Sequence, residues 1–113
     1  MDITESRLQQ NIFSKHWNQY PEERRLLFAV NNNSFNAIKG AQMKSLGVVK
    51  GVSDLIYINP RKRRTQFLEL KIKGGRQQKE QKDFEEKVKK LGFEYHLIFS
   101  LKEFNKVTNL NLK

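Results

Sequence analysis

Apolar residues recur at helical spacing over residues 3–20, with Leu8, Ile12, Phe13, Trp17 and Tyr20 along one side. Pro21 follows and predicts where that helix stops. Leu26 to Val30 is an unbroken apolar run, which predicts a short buried strand. Asn31 to Ser34 predicts a turn-rich loop, and 35–46 a short helix closed by Gly47. Val52 to Ile58 is rich in β-formers and predicts a strand. A basic turn at Pro60 to Arg64 returns the chain into a second, antiparallel strand, Phe67 to Ile72. Gly74-Gly75 breaks the pattern. A charged helix is predicted over 77–91, with Phe84, Val88 and Leu91 on one stripe and Gly92 as its C-cap. Tyr95 to Phe99 predicts a strand and 101–110 a terminal helix. The order α-β-(α)-β-β-α-β-α predicts an α/β fold in which helices flank a mixed central sheet.

Length sets the scale of that fold. The chain has 113 residues, one domain's worth, so 1–113 is expected to be a single unit. Eight Phe, three Tyr and one Trp argue against disorder. The absence of cysteine excludes a disulfide framework, a Cys-ligated zinc site and a thiol nucleophile, and it suits a reducing compartment. No apolar run is long enough to span a membrane. Met1 to Glu5 lacks the basic start and apolar stretch of a signal peptide.

Charge adds a partner class. Lys and Arg number 22 against 12 Asp and Glu, a formal net charge of +10. A small domain this basic usually meets a polyanion, and nucleic acid is the expected one.

A few polar residues sit where an ordinary fold would not put them. Asp54 is embedded among β-formers, where Asp is depleted. Glu69 and Lys71 share one face of their strand, while Leu68, Leu70 and Ile72 take the other. Each pattern alone fits a solvated strand face. Together they place two carboxylates on adjacent strands, where they repel and lose hydration unless a cation neutralises them. A hard divalent ion such as Mg²⁺ takes such oxygen ligands, completed by water and phosphate oxygens. Lys71 beside them is suited to orient or deprotonate a water, or to offset phosphoryl charge. The set matches metal-assisted phosphodiester hydrolysis. Glu5 and Gln81 head the apolar stripes of their helices and point to the core edge, where each needs a partner. Glu5 also fits a capping box with Asp2, and both readings stand.

At these residues the sequence resembles the virus-type replication-repair nuclease (VRR-Nuc) family of the PD-(D/E)xK superfamily. The matching stretches are Leu46 to Leu55, Phe67-Leu68-Glu69-Leu70-Lys71, and Gly74 to Gln81 running into the charged helix, Gly92 and the following strand. The three fall in the family's order and spacing over roughly residues 40–105. The resemblance implies a restriction-endonuclease-like core. It implies that Asp54 and Glu69 bind Mg²⁺ or Mn²⁺, that Leu70 lends the metal its backbone carbonyl, that Lys71 is the catalytic lysine and that Gln81 is the helix glutamine. The family's first-helix glutamate, a further catalytic and metal-site residue, falls most naturally on Glu5. The family's proline before the aspartate is Ser53 here; proline there shapes the backbone and does no chemistry.

Stand-alone members of this kind are phage-type proteins that resemble Holliday-junction resolvases, which implies a bacterial host cytoplasm and cleavage of branched DNA. Cutting two strands of a branch usually takes a symmetric homodimer, and Phe13, Trp17, Phe35 and Phe104 are candidates either for its interface or for the core. In this reading Arg61, Lys62, Arg63 and Arg64 in the turn, with Lys73, Arg76 and Lys79 before and at the next helix, grip phosphates in a sequence-independent way. His16 and His96 are expected to be structural, since neither has the neighbours of a zinc site. Two other functions remain open: a nuclease acting on ordinary duplex, and a non-catalytic nucleic-acid-binding module on the same fold.

Overall fold

A computed structural model describes residues 4–30 and 37–113. Its elements are α1 (Glu5–Gln19), β1 (Leu27–Ala29), α2 (Ala37–Ser45), β2 (Leu55–Asn59), β3 (Arg64–Leu70), α3 (Lys79–Lys90), β4 (Glu94–Ile98) and α4 (Leu101–Thr108). This is the predicted α/β order. The loop expected at 31–34, the first two residues of the helix expected at 35–46, and the side chains of Asp2 and Phe35 lie outside the described residues.

The sheet runs β1-β2-β3-β4. β1 and β2 are antiparallel, β2 and β3 form the predicted antiparallel hairpin, and β4 lies parallel to β3. The parallel pair follows from α3, which carries the chain back over the sheet between them. Strand alternation then separates the two faces. Leu27, Leu55, Tyr57, Leu68, Leu70 and Ile98 are buried in a core with Leu8 and Ile12 of α1 and Phe104 of α4. On the opposite face Phe84 of α3 packs its ring against Phe67 at 5.2 Å and Tyr95 at 6.1 Å.

The structure corrects four details. The apolar run 26–30 is not a buried strand: β1 is a three-residue edge strand with Leu27 buried and Phe28 and Ala29 exposed. Asp54 precedes its strand, which begins at Leu55, and Lys71 follows its own, which ends at Leu70. Phe104 is completely buried, so it serves the core and not an interface. Thr4 is the N-cap of α1, its hydroxyl accepting the Arg7 N–H at 3.1 Å, which leaves Glu5 as the first helical residue.

Gly51 ties α3 to the start of β2. Its φ is +82°, and a Cβ there would lie 2.5 Å from the Glu80 carbonyl carbon and 2.8 Å from the Gln81 nitrogen. Neither backbone atom can move without shifting the helix start. Gly51→Ala therefore combines a left-handed backbone with a main-chain clash and is expected to cost about 2–4 kcal/mol. The check is thermal unfolding, where a melting temperature within about 2 °C of wild type would show that α3 does not depend on this contact.

Candidate active site

The β2–β3 hairpin delivers the carboxylates. Its register sets Leu55 opposite Leu68, which brings Asp54, one residue ahead of β2, alongside Glu69. The Leu70 N–H donates to Asp54 Oδ2 at 2.7 Å, so the strand's own backbone fixes that carboxylate. Ahead of it, the buried Ser53 hydroxyl donates to the Leu55 carbonyl at 3.0 Å. That bond constrains the bend where the resemblance leads one to expect proline.

α3 supplies the third anchor. Gln81 Nε2 donates to Glu69 Oε2 at 2.6 Å, and its Oε1 accepts the Gln78 N–H at 2.8 Å. With both ends of the amide engaged, the glutamine has one orientation. Lys71 completes the group. Its Nζ lies 3.6 Å from Glu69 Oε2 and 3.8 Å from Glu5 Oε1, and the side chain is buried. Glu5 sits at the exposed end of α1. Asp54, Glu69, Lys71, Gln81 and Glu5 thus converge from four elements, as expected. Of these, Asp54, Glu69 and Gln81 line a cleft of about 320 Å³, together with Lys50, Gly51, Gln78 and Glu80. Lys50 and Gln78 were not singled out in the sequence, where no periodicity distinguishes them from other surface residues.

Burial and crowding set the protonation of the pair. Glu69 is 3% exposed. Loss of water and then the nearby Asp54 charge push its carboxyl from 4.5 up to about 7, against the pull of Lys71. Asp54 is also raised: burial and the Glu5 charge outweigh its bonds to Leu70 and Glu69 and the Lys71 charge. Two crowded, desolvated carboxylates at an open cleft are the donor set a hard cation would relieve. Asp54 and Glu69 would hold it. Among the described residues no three His, Cys, Asp or Glu side chains form a complete cage; Mg²⁺ commonly keeps waters and substrate phosphate oxygens in such positions.

The basic turn is not brought to this site. Asp54 and Glu69 sit at one end of the hairpin and residues 61–63 at the other, roughly 17 Å away for a five-residue strand. Three of its four cations also have partners. Arg61 binds Glu23 and, at 2.7 Å, the Tyr57 hydroxyl; Lys62 Nζ donates to the Val107 carbonyl at 3.0 Å; Arg64 pairs with Glu94 at 3.5 Å. Lys73, Arg76 and Lys79 are exposed on the segment that runs from Lys71 into α3. Leu70 is buried and contributes its N–H to Asp54, as described above.

One buried polar network escaped the sequence reading. His16 Nε2 lies 3.0 Å from Glu23 Oε1, and the Tyr57 hydroxyl donates to the same carboxylate. These bonds and Arg61 hold the Glu23 carboxyl below its ordinary value despite burial. The network pins the turn to the end of α1. His16 and His96 are both structural in this sense, His96 contacting Glu94 at 2.9 Å.

The raised Glu69 has a measurable consequence. Between pH 4.5 and 7 the folded chain binds more protons than the unfolded one, so stability falls as pH rises through that window. Glu69→Gln removes this contribution. Without divalent metal, the variant is expected to be more stable than wild type above pH 7 by about 1–3 kcal/mol, with the difference vanishing near pH 4. Denaturant titrations at pH 4, 6 and 8 check this, and a pH-independent difference would mean that Glu69 titrates normally.

No curated protein matches the chain. A solved structure described as a VRR_NUC domain protein superposes with a TM-score of 0.70 at 19% identity, covering 96% of this chain and 88% of that one. At that identity the likeness establishes the fold. The VRR-NUC domain family model matches residues 2–100, and the chain belongs to the VRR-NUC domain family, a family of the PD-(D/E)xK nuclease type.

Proposed function

We propose that the chain is a divalent-metal-dependent endonuclease that hydrolyses DNA phosphodiester bonds, with branched DNA such as Holliday junctions or flaps as its substrate. The observation that carries this reading is the Lys71 ammonium, set between Glu69 and Glu5, beside the Asp54–Glu69 pair that lines the cleft. Mg²⁺, with Mn²⁺ as a substitute, would be held by Asp54 and Glu69 with the Leu70 carbonyl, and Glu5 stands near enough to assist. When bound, the ion supplies Lewis-acid stabilisation of charge on the phosphoryl oxygens.

The residues of the chain do the rest. Lys71 orients the attacking water and offsets negative charge on the phosphoryl group. Gln81 keeps Glu69 from turning away. Lys73, Arg76 and Lys79 take neighbouring phosphates, which anchors DNA without reading its sequence. A homodimer accounts for paired cuts across a branch, with exposed Trp17 and Phe28 as its apolar contacts. Among the described residues no helix is long and apolar enough to cross a membrane, which agrees with work on DNA in a bacterial cytoplasm.

The test is cleavage of a labelled four-way junction beside flap and linear duplex controls, in Mg²⁺, Mn²⁺ and EDTA. The expected result is metal-dependent cutting of branched DNA that falls on the order of 10²-fold or more in Lys71→Ala and Glu69→Ala. Equal cutting of linear duplex would remove the branch preference. Tight binding without cutting in either metal would leave a DNA-binding module on a nuclease fold. Thermal unfolding gives a second readout. Mg²⁺ is expected to raise the melting temperature of wild type and not of Glu69→Ala, because the repulsion the ion relieves is absent from the variant.

A further inference from the structure

A second cavity adjoins the catalytic cleft and takes no part in the chemistry above. It has a volume of about 600 Å³ and lies between α2, the 48–50 segment and the start of α3. Met43, Val48 and Val49 supply its apolar wall. Lys44 and Lys50 are its cations and Glu80 its one carboxylate. Lys50 and Glu80 line both cavities, so the two share a wall. Val49 is 60% exposed, an unusual place for a valine in a chain this polar.

A paired duplex presents phosphates and sugar to a surface and keeps its base faces stacked inside. An apolar recess beside a phosphate-cutting centre suits a base that has left the stack. Its size falls within the usual range for small-molecule sites, roughly 300–1,000 Å³. A heterocyclic base laid on an aliphatic wall removes apolar area from water whatever its identity. Lys44 and Lys50 are placed to take the phosphates on either side of it. The shared boundary at Lys50 and Glu80 then sets such a base next to the bond held at Asp54 and Glu69.

We infer that this cavity receives an unpaired base adjacent to the scissile phosphate, so that Met43, Val48 and Val49 select DNA with an unpaired nucleotide at the cut. The inference rests on the nuclease reading for the word scissile, and on the cavity alone for the base. It gives the branch preference a local cause: a branch point or flap junction offers a nucleotide that is already unstacked, whereas a continuous duplex must first break its stacking.

The experiment uses the full chain in EDTA, where nothing is cut. The probe is a duplex with one unpaired 2-aminopurine, whose emission is quenched by stacking. Binding is followed separately by the anisotropy of a remote dye. At saturating protein the emission is expected to rise several-fold for the unpaired probe and to stay flat for a 2-aminopurine paired within an arm. The neutral double variant Met43→Gln with Val49→Asn is expected to lose the rise. Its affinity for the unpaired probe should fall about fivefold or more, the order expected for losing a few tens of Å² of apolar contact, to that of an abasic site, with paired duplex binding retained. Met43→Leu should behave as wild type.

Retained duplex binding shows that the double variant is folded. Unchanged emission from wild type at saturation would overturn the inference. So would an equal loss of paired and unpaired binding in the double variant at an unchanged circular dichroism spectrum. A chain that binds neither DNA overturns this inference, and the nuclease reading falls with it only where cleavage in Mg²⁺ is absent as well. Parallel cleavage in Mg²⁺ separates the two. Emission without cutting keeps the base site and ends the nuclease reading; cutting without emission does the reverse.

Discussion

The repulsion between two carboxylates held out of water is the constraint around which this chain is arranged. Asp54 and Glu69 are both raised above their ordinary protonation range by burial and by neighbouring charge, so the pair works against the fold. Opposing forces come from several directions. The Leu70 N–H holds one carboxylate, and the Gln81 amide and Lys71 ammonium hold the other. Two of these anchors, Leu70 and Gln81, lie 16 and 12 residues from the carboxylate each holds. Each depends on a strand register or helix position set by packing elsewhere, and this couples the site to the whole fold.

The packing that sets those positions is divided between the two faces of the sheet. One face carries the apolar core under α1 and α4. The other carries Phe67, Tyr95 and Glu69 under α3, so aromatic packing and chemistry share a surface. Phe84 on these rings places α3 across the sheet, and Gly51 lets its first turn approach closely enough for Gln81 to reach Glu69. A glycine with no chemistry of its own thereby governs the orientation of a carboxylate. The same hairpin is secured at its other end by Glu23, which gathers His16, Tyr57 and Arg61. Each end of β2 and β3 thus has its own buried carboxylate, one neutralised within the chain and one left raised at a cleft.

How legible this was in the sequence depended on the range of the interaction. Element order, the hairpin, the glycine after α3 and the crossover to β4 follow from periodicity and turn chemistry over a few residues, and the structure has them all. Asp54, Glu69 and Lys71 stood out because their patterns contradict their surroundings: an acid among β-formers, and two charges on a face that proves buried. Glu23 carried no such signal. It lies in a polar stretch after Pro21, and its partners at Tyr57 and Arg61 are 34 and 38 residues away. The edge character of β1 was equally hidden, because an apolar run reads the same whether one side or two are covered. The strand boundaries slipped because Asp54 and Lys71 border β-formers and differ from them only in hydrogen bonding.

The basic turn shows why composition alone overstates a binding footprint. Arg61 to Arg64 form the densest cluster of cations in the sequence, yet Arg61 compensates a buried glutamate, Lys62 binds a main-chain carbonyl at the α4 end, and Arg64 meets Glu94. Those cations are partly used in holding the fold. The charge near the cleft is sparser: Lys50 lines its wall, and Lys73, Arg76 and Lys79 are exposed on the segment leading into α3. Electrostatic attraction falls off within about 10 Å at moderate salt. A phosphate at Asp54 and Glu69 therefore feels these few cations more than the turn at the far end of the hairpin. The net charge of +10 suits a polyanion at long range, whereas a phosphate at the cleft would meet the cleft-side residues first.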